Sequence, residues 1–193
     1  MIGKQNTDTV LSLYRDERTV FRMIDIAMLT KETDLSRLCN RLNYYVKRGK
    51  IENPRKGIYT KPGYNPEELA CILYTPSYLS LDYVLQKSGV IFQFNSQITA
   101  ISYLSRIIET GHQSYRYRKI KSEILVNPAG IRRQKNNINI AVPERAFLDM
   151  LYLESDCYFD NINPLDFRKI KLLLPVYHSE ALNKRVNKIF NHA

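Results

Sequence analysis

Between Asp34 and Thr60 a helical repeat gives way, within a few residues, to a short hairpin pattern, and both parts are basic. Leu35, Leu38, Cys39, Leu42, Tyr45 and Val46 recur at three- and four-residue steps. At about 100° per residue they fall in an apolar arc of roughly 120°, which predicts an amphipathic helix over Asp34–Arg48. The opposite face carries Arg37, Asn40, Arg41, Tyr44, Lys47 and Arg48, and Gly49 is a natural stop. Lys50 to Thr60 then predicts two short strands around a Pro/Gly turn, with Arg55 and Lys56 at the tip. A helix with long basic and amide side chains, followed by a basic hairpin, is what a winged helix-turn-helix presents to DNA.

The charge agrees with this. The 193 residues include 29 Lys and Arg against 19 Asp and Glu, a formal net charge of +10. From Asp34 to Lys61 there are eight basic residues and two acids, so this segment holds an excess of six. Such a balance suits a polyanion, nucleic acid before an anionic membrane surface. The simpler alternative is a solvated helix face. A hydrophobic fraction of 44% is enough for packed cores. Cys39, Cys71 and Cys157 are widely spaced and odd in number, which suggests neither a disulfide framework nor a zinc site. With no signal peptide and no apolar run able to span a bilayer, the expectation is a cytoplasmic protein with no membrane association.

The first 60 residues predict a helix near Thr7 to Tyr14, a short apolar stretch at Val20-Phe21, a compact helix from Met23 to Leu29, a polar turn at Thr30–Thr33, then the basic helix and hairpin. Lys61-Pro62-Gly63-Tyr64-Asn65-Pro66 is a cluster of breakers, which places a domain boundary after Pro62. The expected fold class is therefore α+β, with a winged helix-turn-helix over 1–62 and a mixed α/β domain with a small sheet over 63–193. In the second part, helices are expected from Pro66, over Ser80–Ser88, from Pro143, through Leu174, and from about His178 to Phe190. Strands are expected at Ile98–Leu104, Tyr115–Arg118, Ile124–Val126 and Ile138–Val142.

An enzyme would carry a constellation of residues at catalytic or metal-binding spacing. His112, His178 and His192 have no partner at metal-ligand spacing, and no phosphate-binding or nucleophile-elbow motif is present. Glu154, Asp156 and Asp160 cluster without the lysine and strand of a metal-dependent nuclease, which leaves a solvated acidic loop. No catalytic residue, metal or cofactor is therefore expected, and the chain reads as a non-enzyme. Arg116, Arg118, Lys119 and Lys121, followed by Arg132, Arg133 and Lys135, form a second basic cluster interleaved with Tyr115 and Tyr117. It reads equally as a further nucleic-acid surface with stacking rings, a docking face for an acidic protein, or a solvated sheet face with tyrosines underneath.

Two further passages carry a family resemblance. Pro76-Ser77-Tyr78-Leu79-Ser80-Leu81, with Val84-Leu85 and Gly89-Val90, and then Ile140-Ala141-Val142-Pro143-Glu144-Arg145-Ala146-Phe147-Leu148-Asp149-Met150-Leu151, follow the basic helix and hairpin in order. Together they resemble the AbiEi-type antitoxins of bacterial type IV toxin–antitoxin (abortive infection) systems, over roughly Phe21 to Tyr152. The chain departs from that pattern at Arg145, where lysine is common, and after Tyr158 the resemblance ends. It implies a repressor of its own operon that binds repeated promoter sequences in double-stranded DNA. It also implies a nucleotidyltransferase-type toxin as functional partner, countered without a stable complex being required. The residues alone leave two alternatives: a protein-interaction module without sequence-specific DNA binding, or a nucleic-acid-processing enzyme using Glu154 or Asp156.

Overall fold

A computed structural model describes residues 9–111 and 113–191, so His112 and His192 lie outside the described residues. Two compact units divide between Ile72 and Leu73.

The first unit contains α1 (Thr9–Arg15), β1 (Val20–Arg22), α2 (Met23–Thr30), α3 (Leu35–Lys47), β2 (Glu52–Arg55), β3 (Ile58–Thr60) and α4 (Pro66–Leu73). The strands form an antiparallel sheet in the order β1-β3-β2, with Val20 opposite Thr60 and Arg55 opposite Ile58. Thus Val20-Phe21 is a strand, and the order of helices and hairpin is the one the periodicity predicts. Pro54 lies within β2 rather than at the turn, beside an irregularity in the pairing. Leu38 and Leu42 of α3 pack with Leu13, Phe21, Ile26, Ala27, Ile51 and Tyr59 in the buried core. Burying a Leu or Phe side chain contributes about 1.5–3 kcal/mol each, which is what holds so short a set of elements together.

Local chemistry fixes both ends of α3. The Asp34 carboxylate accepts the Arg37 N–H at 3.0 Å, an N-cap. At the other end Gly49 has φ +67°. The Gly49 N–H donates to Val46 O (2.9 Å) and the Lys50 N–H to Tyr45 O (3.0 Å), the two bonds of a Schellman motif.

The break expected after Pro62 lies inside the first unit. The buried Glu68 carboxylate accepts the Thr19 N–H at 2.7 Å and the Val20 N–H at 3.2 Å, and the Asn65 N–H donates to Thr19 Oγ1 at 2.9 Å. These bonds tie the start of α4 to β1.

The second unit holds β4 (Ser77–Leu79), α5 (Asp82–Lys87), β5 (Ile98–Ser102), β6 (Arg106–Thr110), β7 (Gln113–Lys119), α6 (Ser122–Leu125), β8 (Ile131–Arg133), β9 (Asn139–Ala141), α7 (Pro143–Leu153), α8 (Phe167–Leu173) and α9 (Glu180–Asn191). The expected small sheet is a six-stranded mixed one, in the order β6-β7-β5-β4-β9-β8. β4 runs parallel to β9 and β5 parallel to β7, and the other pairs are antiparallel. Ile124 and Leu125, expected in a strand, are buried in the single turn of α6. A short apolar run does not distinguish the two conformations by period.

α7 is buried on nearly all sides, and its buried stretch runs from Glu144 to Leu151. That helix therefore forms the centre of the unit rather than its surface. No helix among the described residues is long and apolar enough to cross a membrane.

Candidate nucleic-acid interface

α3 presents Arg37, Asn40, Tyr44, Lys47 and Arg48 to solvent, with Tyr44 53% exposed. The Arg48 guanidinium lies over the Tyr44 ring, 5.4 Å from its centroid, and Tyr44 meets Tyr45 edge-on at 5.6 Å. These contacts hold a ring and a cation side by side at the C-terminal end of the helix.

Arg41 does not join this face. Its guanidinium donates to the Glu32 carboxylate at 3.2 Å and to Thr9 Oγ1 at 3.1 Å. Arg41 is four residues before Tyr45 and so about 40° from the apolar arc. From that border position it reaches the turn before α3 and the start of α1, and it braces the unit instead of facing a base edge.

In the hairpin, Lys56 is exposed at the tip and Arg55 is half-buried on β2. The Asn53 amide donates to Arg55 O (2.9 Å) and Ile58 O (2.7 Å), closing the turn from within. Gly57, at φ +79°, accepts the Met23 N–H through its carbonyl at 2.9 Å. The tip is thereby fastened to the start of α2.

The second basic cluster is not one surface. Tyr115 and Tyr117 are 0% and 1% exposed, so their rings cannot stack on bases. Arg116 and Arg118 alternate with them on the other face of β7, and Arg118 is paired with Glu154. Burial pushes the carboxyl of the half-buried Asp82 up; a backbone hydrogen bond opposes this, the charge of Glu154 adds to it, and those of Arg116 and Arg118 oppose it. Lys119 and Lys121 are exposed, as are Arg132 and Arg133. The last two lie on β8, four strand spacings from β7, or about 19 Å. The positions of those rings exclude base stacking and fit either a solvated face or a docking face for an acidic protein.

A buried polar cluster, which the sequence reading missed, lies on α7. Arg145 and Asp149 are both 0% exposed. Arg145 donates to Ala129 O (3.0 Å), Ile124 O (2.8 Å) and Tyr78 Oη (3.3 Å). Asp149 accepts from Tyr177 Oη (2.6 Å), Ser80 Oγ (2.7 Å) and Tyr78 Oη (3.2 Å). Burial pushes the Asp149 carboxyl up, and Arg145, then the three hydroxyl donors, pull it back. Gly130 passes so close that a Cβ there would come within 3.0 Å of the Arg145 Cβ. The available signal was an Arg and an Asp four apart in an otherwise largely apolar helix. Such groups, enclosed by Tyr78, Tyr177 and main-chain carbonyls, tie α7 to the elements that carry those partners. Among the described residues no group of three or more His, Cys, Asp or Glu is placed to hold a metal ion.

No family model and no curated protein matches the chain. Among solved structures it is similar to the RV2827C protein from Mycobacterium tuberculosis, with a TM-score of 0.53 and 12% sequence identity, over 99% of this chain and 78% of that one. At that identity the likeness shows a shared fold.

Proposed function

We propose that this chain is a DNA-binding transcriptional regulator, the antitoxin of a type IV toxin–antitoxin pair, with its first unit acting as a winged helix-turn-helix. The observation that carries the reading is the outward face of α3. It is a capped helix whose exposed side holds Arg37, Asn40, Tyr44, Lys47 and Arg48, in the same unit as a hairpin with Lys56 at its tip. In the proposed mechanism α3 enters the major groove. Arg37, Asn40 and Tyr44 read base edges, and Lys47, Arg48, Arg55 and Lys56 hold phosphates. Arg41 is left out of the reading set.

The site is double-stranded DNA of the protein's own promoter, at repeated sequences, and the functional partner is a nucleotidyltransferase-type toxin. Both follow from the AbiEi resemblance. The protein acts by binding, without catalysis or cofactor.

The test is a fluorescence-anisotropy titration of the full chain with promoter DNA and a scrambled duplex over a range of salt. The expected result is tighter promoter binding, with log affinity falling steeply against log salt. Equal affinity for both duplexes, or an unchanged affinity in a folded Arg37→Ala/Lys47→Ala variant, overturns the reading.

A further inference from the structure

In the second unit, two loops carry aromatic rings outward while they are anchored inward. The loop after α5, residues 88–97, has Val90 fully buried, yet Phe92 is 66% and Phe94 83% exposed. In the loop before α8, residues 154–166, Phe159 packs on Phe147 with ring centroids 4.7 Å apart and Leu165 is buried, yet the adjacent Tyr158 is 80% exposed. Three hydrogen bonds join the loops. The Phe92 N–H donates to the Asp160 carboxylate at 2.8 Å, and the N–H groups of Asp160 and Asn161 donate to Val90 O at 3.0 and 3.1 Å. The rings are thus presented by a cross-tied scaffold. Three large rings held in water on one pair of loops mark an interaction surface, since aromatic side chains supply much of the energy at protein interfaces.

The charge around them selects the occupant. Residues 88–97 carry no charged side chain, and residues 154–166 carry Glu154, Asp156, Asp160 and Asp166 with no lysine or arginine. In a chain of net charge +10 this is an island of opposite sign. Asp156 and Asp160 are exposed, whereas Glu154 is engaged by Arg118 and Asp166 caps α8. Lys87, at the end of α5, lies over the Tyr83 ring. Nucleic acid and anionic lipid are disfavoured by the carboxylates. The geometry points to a protein partner whose docking segment combines apolar side chains with lysine or arginine, its apolar groups covering Phe92, Phe94 and Tyr158 and its cations facing Asp156 and Asp160. This surface is independent of α3 and of the proposed DNA reading.

The test titrates the full chain with a short labelled peptide of lysines and leucines, its glutamate–leucine counterpart, a single-stranded thymidine oligonucleotide, and phosphatidylcholine vesicles. The expected result is binding of the lysine–leucine peptide that weakens with salt. It should fall at least tenfold in a Phe92→Ser/Phe94→Ser/Tyr158→Ser variant and severalfold in Asp156→Asn, and stay unchanged in Arg37→Ala/Lys47→Ala. The replaced side chains are exposed, so circular dichroism should report an unaltered fold. Equal binding of the two peptides, or undiminished binding by the triple variant, overturns the proposal. So does a preference for the oligonucleotide or the vesicles that the triple variant abolishes.

Discussion

Arg145 and Asp149 stand one helical turn apart on α7 with no solvent exposure, Nε to Oδ1 3.4 Å. Bringing two charges into an interior costs several kcal/mol per ion, so the pair is held by its further partners: two main-chain carbonyls, Tyr78, Tyr177 and Ser80. Removing one member leaves the other charged and enclosed. Arg145→Met is expected to lower unfolding stability by about 3–5 kcal/mol, and Arg145→Met/Asp149→Leu to recover most of that loss. Urea unfolding monitored by tyrosine fluorescence separates the cases. A single variant as stable as the parent would mean that the pair clamps nothing.

Arg37 and Arg41 are one turn apart on α3 and are expected to fail differently. Arg37→Ala should weaken promoter binding by about 1–3 kcal/mol and leave thermal stability within about 0.5 kcal/mol. Arg41→Ala should cost about 1 kcal/mol of stability, because it breaks the pair with Glu32. A double-mutant cycle with Glu32→Gln would show that coupling, and a cycle without coupling would return Arg41 to the reading face.

Asp16 and Arg18 give the first unit an acid-sensitive contact. Arg18 donates to both Asp16 oxygens, at 3.0 and 2.7 Å, and that hydrogen bonding holds the Asp16 carboxyl below its usual 3.8. A lowered folded value stabilises once the unfolded chain would be ionised, above about pH 4. The contribution disappears as pH falls through the lower folded value. Asp16→Asn should therefore be about 1 kcal/mol less stable than the parent at pH 7 and converge with it near pH 2. Chemical denaturation at a series of pH values checks the convergence.

Cys157 is half-buried beside Glu154, and burial, with that carboxylate, pushes its thiol up to about 11. At pH 8 its thiolate fraction is about a hundredfold below that of a thiol at the usual 9.0. Higher basicity makes each thiolate more nucleophilic, which returns about tenfold of that. Site-resolved mass spectrometry of iodoacetamide labelling should thus show Cys157 reacting about tenfold more slowly than an exposed model thiol, and equal rates would rule out the enclosed environment.

α3 was legible because its whole length obeys one period and both ends are marked, by Asp34 and by Gly49. Arg41 was not, because a residue on the border of an apolar arc is assigned by what its long side chain can reach, and Glu32 and Thr9 are brought near only by the fold. In the second unit β4, β6 and β8 were missed: β4 is only three residues, all buried, and β6 and β8 are edges with half-exposed patterns, so none shows the alternation that one buried face imposes. β5 is buried at every position, Thr99 and Ser102 included, so its two faces are not told apart by burial. The tyrosines of β7 did alternate visibly, but which of the two faces was covered depended on neighbours far along the chain.

The bonds that Glu68 accepts from Thr19 and Val20 decide where the first unit can be cut out as an independent fragment. A fragment ending at Pro62, as the run of breakers invites, would leave the amides of Thr19 and Val20, at the start of β1, without their carboxylate. One carried through Ile72 keeps its own latch.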